Sequence, residues 1–238
     1  MKQLKRWIFA FCVLMIMLPS AIHAEDVTSL AVILKTTGGV EMSAAGSDVW
    51  TVVHQGQVMA SGDRLRTHAE GGVALLFVDD KSLLKLDSET EVTLMADAEG
   101  RKINKRIWMG AGNLWAKVTR KDDPHFEVET PTSVASVKGS EFYCSENPQG
   151  GNTLHAVTGR YSYRNEFGEI ELGAKTTGQS DGKGAPRSRP TNPGELPGFG
   201  GIAGYGELED DGRRVFRIGF MNESGEQKTL VIPLEQPE

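Results

Sequence analysis

The sequence predicts an all-β protein, and three observations carry that expectation. Between Leu30 and Thr177 turn signals recur about every 8–12 residues, the spacing of a sandwich or barrel of short strands. Apolar residues alternate at period two, as at Leu84 and Leu86 or Val92 and Leu94, so that one face of each strand is apolar. No sustained 3.6-residue periodicity follows residue 24. Glycine is plentiful, 28 of 238 residues, which suits a chain with many tight turns.

Taken in order, Leu30 to Val40 is an apolar strand ending at Gly38-Gly39, and Val40 to Met42 starts another before the loop Ala44 to Ser47. Trp50 to Val53, Val58-Met59 and Leu65 to Thr67 follow, punctuated by Gly56, Gly62-Asp63 and Gly71-Gly72. Val73 to Val78 is a short apolar run closed by Asp79-Asp80, and Lys81 to Leu86 and Glu91 to Met95 continue the pattern. Ile103 to Met109 leads through Gly110 and Gly112 to Trp115. Leu154 to Val157, Tyr161 to Tyr163 and Glu169 to Leu172 read as closing hairpins. Large aromatics bury the most area per residue, so Trp50, Trp108, Trp115, Phe77, Phe126 and Phe142 are the expected core.

The chain is organised around His125 to Cys144. Phe126, Val128 and Thr130 alternate with Glu127 and Glu129 until Pro131, which has no N–H for a sheet ladder, ends or turns the strand. A second extended segment runs through Val134 and Val137, and Gly139 permits a bend before Phe142 and Cys144. Two core strands joined at a corner are expected here.

Between Gly178 and Gly206 the composition shifts to Gly, Pro, Ser and charge, which reads as a linker or mobile loop. Arg214 to Phe220 then alternates, Asn222 to Gly225 makes a turn, and Lys228 to Ile232 is a second strand. A lone hairpin is not stable in water and must dock on something. The expected organisation is therefore residues 1–24, 30–177, 178–206 and 207–238: a leader, a β domain, a linker and a hairpin segment.

The leader reads as a cleavable signal peptide. Lys2, Lys5 and Arg6 precede an unbroken apolar run from Trp7 to Leu18, and Ala24 offers a small residue for cleavage before Glu25. Export to the bacterial envelope, periplasmic or secreted, follows, with no membrane span left afterwards. Cys12 departs with the leader, so Cys144 stands alone and is expected to be a buried, inert thiol on the strand face of Phe142. The formal charge is −6, and −9 without the three leader cations, which argues against nucleic acid as a partner. Arg101, Lys102, Lys105 and Arg106 form the densest basic cluster. They read either as a charged, solvated edge strand or as a patch for cell-wall glycan or another polyanion.

The spaced motifs of the chain resemble those of the FecR domain family. Thr130-Pro131-Thr132 followed by Val134 to Phe142, with Gly139, Ser140 and Phe142, is similar to that family's hallmark segment, although Ser140 stands where the family usually has threonine. Gly62-Asp63 with Leu65 and Thr67, then Gly71 and Ala74 to Phe77, resemble its earlier strands, and Gly112 to Val118 with Trp115 its Gly-x-Leu/Val-Trp segment. The resemblance covers roughly Gly38 to Thr177. It implies a β-roll, solenoid or sandwich in which these residues are structural. Many such proteins resemble a relay from a cytoplasmic anti-sigma segment through one span to a periplasmic domain. Nothing precedes the leader here, so a free-standing envelope member is expected.

Catalytic and metal chemistry finds no pattern. His54, His68, His125 and His155 are dispersed, and there is no HExxH or CxxC arrangement. Asp79-Asp80 with Asp87, Glu89 and Glu91 lacks the spacing of a calcium loop. Ser140 is not in a Gly-x-Ser-x-Gly elbow, and the G-x-G-x-x-A at Gly198 to Ala203 has neither the strand before nor the helix after that a dinucleotide site needs. Neither enzyme nor cofactor is expected. The expected function is a non-enzymatic interaction, sensing or scaffold module that binds an envelope protein, with glycan or surface-polymer binding as the alternative.

Overall fold

The computed structural model describes residues 29–99, 102–119, 126–197 and 199, and, as backbone, 208–210, 213–221 and 227–233. Residues 1–28, on which the expected leader falls, and the start of the basic cluster at Arg101 lie outside the described residues, as does His125. The chain is built of strands, and the single helical element described is a 3-10 turn at Pro193–Glu195.

Seventeen strands form one continuous hydrogen-bonded sheet folded into two layers. The first layer holds β1 (Ala31–Thr37), β4 (Val58–Met59), β6 (Gly72–Phe77), β7 (Leu83–Leu86), β12 (Glu141–Asn147), β13 (Gly151–Ala156), β16 (Thr176–Ser180) and β17 (Arg187–Pro190). The second holds β2 (Val40–Ser43), β3 (Thr51–Val52), β5 (Arg64–Thr67), β8 (Glu91–Glu99), β10 (Phe126–Glu129), β11 (Val134–Val137), β14 (Arg160–Asn165) and β15 (Gly168–Gly173). β9 (Lys102–Lys117) belongs to both: its first part pairs with β8 and β10, its last part with β7 and β12.

The chain passes from layer to layer at corners where a residue takes a left-handed backbone. Gly38, Gly56, Gly62, Glu70, Glu89, Gly112, Gly139, Gly159 and Lys175 all have positive φ there. At Gly112, φ is 106° and a Cβ would sit 2.3 Å from Thr90 Oγ1, so a side chain is excluded both by backbone and by space. A register shift between Glu91 and Val92 leaves a bulge beside it, and β9 bends from one layer into the other. Gly159 is equally constrained, since its Cβ would fall 1.8 Å from Ser140 Oγ.

Alternation then does what the sequence predicts: inward residues of both layers make one core. Phe77, Phe126, Phe142 and Tyr161 come from alternating layers and stack edge to face along it, with ring centroids 5.8, 6.5 and 5.6 Å apart. Edge-to-face packing is favoured by the aromatic quadrupole.

Four expectations are corrected. The tryptophans are not core: Trp50 and Trp115 are half-buried on outer faces and Trp108 is 37% exposed. Strand parity decides this, because Trp108 and Trp115 alternate with the inward Ile107, Met109, Leu114 and Ala116. Second, Thr130-Pro131 is the tip of a hairpin, with β10 and β11 paired antiparallel in one layer, while the corner lies after it at Gly139. Third, the stretch read as linker is not all linker. β16 runs on to Ser180 and β17 pairs with it from Arg187 to Pro190, because backbone pairing needs only extended chain and not apolar side chains. Fourth, β9 is central rather than an edge, since Phe126 to Glu129 pair along one side of it and β8 along the other. A separate three-stranded sheet follows, β18 (Leu208–Asp210), β19 (Arg213–Met221) and β20 (Gln227–Pro233).

Candidate interaction face

The family-motif residues are brought to corners and turns, not to one site. Asp63, 5% exposed, accepts the N–H groups of Ala45 (3.0 Å) and Ala60 (2.8 Å), and Gly62 beside it packs on Ala45. Thr130 Oγ1 accepts from the Ser133 N–H at 3.1 Å and holds the turn at Pro131. That turn is tied to the other layer, because Thr132 Oγ1 donates to Glu146 Oε2 (3.1 Å) and Ser180 Oγ donates to the Thr132 carbonyl (2.6 Å). Burial raises the Glu146 carboxyl above its ordinary range, against these donated hydrogen bonds. Trp115 Nε1 donates to Glu141 Oε1 at 3.1 Å while Lys85 sits 4.6 Å from its ring centre. Ser140 Oγ donates to the Lys138 carbonyl at 3.2 Å, and Phe142 is core.

The basic cluster is taken apart by strand parity. Lys105 points inward, 2% exposed, and its ammonium reaches across the sandwich to Asp79 (Oδ2 2.9 Å) and to Asp80, at the β6–β7 turn. It also lies 5.1 Å from the Phe77 ring centre. Lys105 is a buried strut between the layers and is not available to a polymer; of the five acids weighed as a calcium loop, Asp79 and Asp80 are its partners. Arg106 points outward, loosely held 3.8 Å from Glu127 and 3.9 Å from Glu129. The Lys102 side chain lies outside the described residues.

The other titratable clusters among the described residues are small and held by hydrogen bonds and ion pairs. Among the described residues no cluster of His, Cys, Asp and Glu could hold a metal. Cys144 is fully buried, accepts from Asn152 Nδ2 at 3.2 Å, and burial pushes its thiol up to about 12. His155 is buried against Thr177 Oγ1 (2.9 Å) and 3.8 Å from Glu195, and burial lowers its pKa. His68 and Arg66 share Glu41 at 2.8 and 2.7 Å and lower its pKa through those hydrogen bonds, His68 foremost. A polar groove of about 310 Å³ between β13 and the loop before β17 is lined by Asn152, Gln179, Asp181, Lys183 and Arg187 without paired acid and base groups of catalytic type.

What the described residues do present is the outer face of the second layer. The pairing registers line up Arg64, Thr93, Trp108, Glu129, Val134, Arg164 and Glu169 in one row across it. Met95, Arg106, Glu127, Ser136, Ser162 and Glu171 make the next row. Seven strands at about 4.8 Å spacing give a face about 29 Å wide. Trp108 lies near its middle, its ring turned over Gly110, where a Cβ would meet the ring at 2.7 Å. Toward the β3 end Arg66 and Arg64 stack on Trp50, 4.0 and 5.0 Å from the ring centre, and Val49 and Val52 are 68% and 63% exposed. Charges of both signs around exposed Trp and Arg are the composition of a protein-contact surface. Sequence reasoning missed this face because it assigned the tryptophans to the core.

The fold is an all-β roll, and this face is its outward surface on the second layer. More particularly, the family model described as FecR protein matches residues 63–160 of the chain. No curated protein matches the chain in sequence. Among solved structures, two crystal structures of a candidate anti-sigma factor from Parabacteroides distasonis ATCC 8503 are similar to it. One is 12% identical over 54% of this chain and 60% of that one, with a TM-score of 0.47; the other is 14% identical over 53% and 58%, with a TM-score of 0.46. This chain thus spans about 60% of the length of those structures. Among the described residues no helix is long and apolar enough to cross a membrane.

Proposed function

We propose that this protein is a non-enzymatic sensing or scaffold module of the bacterial envelope that binds another envelope protein through the outer face of its second layer. The observation that carries the reading is the Trp108-centred face, wide and mixed in charge, in a chain whose residues 63–160 match the FecR family model. The leader composition supports an envelope location. The polymer-binding alternative loses its main support with Lys105, which is buried in an ion pair.

In-cell crosslinking of the tagged protein, followed by purification, tests the proposal. A stoichiometric protein partner is expected, and Trp108→Asp should lower its recovery at least tenfold without changing the circular dichroism of the protein. Recovery of glycan alone, a partner indifferent to Trp108→Asp, or turnover of an envelope substrate by the pure protein would each overturn it.

A further inference from the structure

The first layer has an outer face with a different character. Val73, Leu75 and Phe77 of β6 point into the core, so Ala74 and Leu76 point out, yet they are only 2% and 3% exposed. Leu34, at the irregularity where β1 pairs with β6, is 1% exposed and also lies apart from the main core. Leu83 continues this outer row opposite Leu76. β6 is therefore buried on both faces, which in an antiparallel sheet means that its outer face is covered.

The path of the chain after β17 runs toward this place. Glu195 lies over β16 and β17, where Arg189 binds it with both guanidinium nitrogens at 2.7 and 2.8 Å and Thr177 Oγ1 is 3.4 Å away. Asn192 caps the turn: its side chain accepts from Gly194 while Glu195 accepts from the Asn192 N–H at 2.9 Å. Four residues later Phe199, 5% exposed, packs on Tyr143 of β12, ring centres 5.7 Å apart. In the same row Tyr143 is followed by Trp115, Lys85 and Ala74 on β9, β7 and β6. Three strand steps, about 14 Å, separate Tyr143 from Ala74. The nine residues from Phe199 to Leu208 can span about 30 Å.

The segment that arrives needs a surface. Register places Phe216, Ile218 and Phe220 on one face of β19 with Ile232 and Leu230 opposite the first two. Burying such an apolar face against another apolar surface is favourable, because it removes that area from water. We propose that the outer face of the first layer around Leu34, Ala74 and Leu76 is the docking seat of the chain's own C-terminal sheet, β18 to β20. Phe199 and the Arg189–Glu195 pair then act as the anchor that sets its approach. The inference is independent of the partner face on the second layer.

Thiol accessibility in the full chain tests it. In Leu76→Cys the new thiol is expected to react slowly with a maleimide, and at least tenfold faster when Ile218→Asp is added, with Cys144 unlabelled in both as the sign that the core is intact. If Leu76→Cys itself exposes Cys144, Ala74→Cys replaces it as the probe. Labelling at the same rate with and without Ile218→Asp would overturn the proposal, because another segment would then be the cover. So would labelling that accelerates on dilution, which would mean that a second copy covers the face.

Discussion

Replacing Lys105 by Met is the most exacting check on the folded arrangement. The ammonium is held by Asp79 at 2.9 Å and by Asp80, and Lys105 and Asp80 are 2% and 3% exposed. Met keeps most of the stem volume, so packing changes little. What is lost is the countercharge of two carboxylates, one of them fully buried. Breaking a buried pair from one side costs about 3–5 kcal/mol, because the remaining charge stays desolvated without compensation. With a urea m-value of about 2 kcal/mol/M for a domain of modest size, the midpoint should fall by about 2 M. Arg106→Met, on the next residue, is the internal control. Its side chain is 46% exposed and its carboxylates are 3.8 and 3.9 Å away, so the change should stay below about 1 kcal/mol. Replacing Asp79 and Asp80 by Asn together with Lys105→Met should recover much of the loss, since no uncompensated charge is left. Urea unfolding followed by tryptophan fluorescence measures all three. Equal midpoints for Lys105→Met and Arg106→Met would refute the reasoning.

Three further outcomes are expected. Gly112→Ala should destabilise the protein by about 3 kcal/mol or more, combining left-handed strain with overlap on Thr90, whereas Gly46→Ala, with open space around it, should cost only the strain of about 1 kcal/mol; comparable losses in thermal unfolding would contradict the corner assignment. Cys144, buried and with its thiol raised to about 12, should resist a maleimide at pH 8 in the native state and react fully in denaturant; fast native labelling would count against the core as described. The Glu195 corner should loosen in acid. Arg189 and the Asn192 N–H hold the Glu195 pKa at about 2, so its contribution is complete above about pH 4.5 and is lost as pH falls toward 2. Burial holds His155 below its ordinary 6.5, so its neutral form stabilises above that value and protonation on acidification opposes the fold. An imidazole NMR titration of His155 with a midpoint at or above 6.5 would refute this.

The strand pattern was legible because it is local. A strand declares itself by alternation, and a corner by a glycine that can take positive φ, so Gly38, Gly62, Gly112, Gly139 and Gly159 mark layer crossings in the sequence as well as in the fold. Glu70, Glu89 and Lys175 occupy the same left-handed conformation without a glycine, and nothing local announces them. The role of Thr130-Pro131 was half legible: proline ends the strand, but the pairing of β10 with β11 and the ties to Glu146 and Ser180 come from distant chain.

The candidate site was largely illegible for the same reason. Lys105 and Arg106 are neighbours in a basic run, and only the side of β9 on which each falls separates a buried strut from a surface charge. Trp108 is apolar by composition and outward by parity. The row through Arg64, Trp108, Glu129 and Arg164 joins residues up to 100 positions apart, which come together only through the registers of separate strand pairs. The sequence alone determined that the chain is β, where it bends at glycine, and that Cys144 is a core thiol, because alternation, backbone freedom and hydrophobicity act within a few residues. Tertiary structure decided which face of each strand meets water and which charges meet each other, because those depend on how strands far apart in the chain are set side by side.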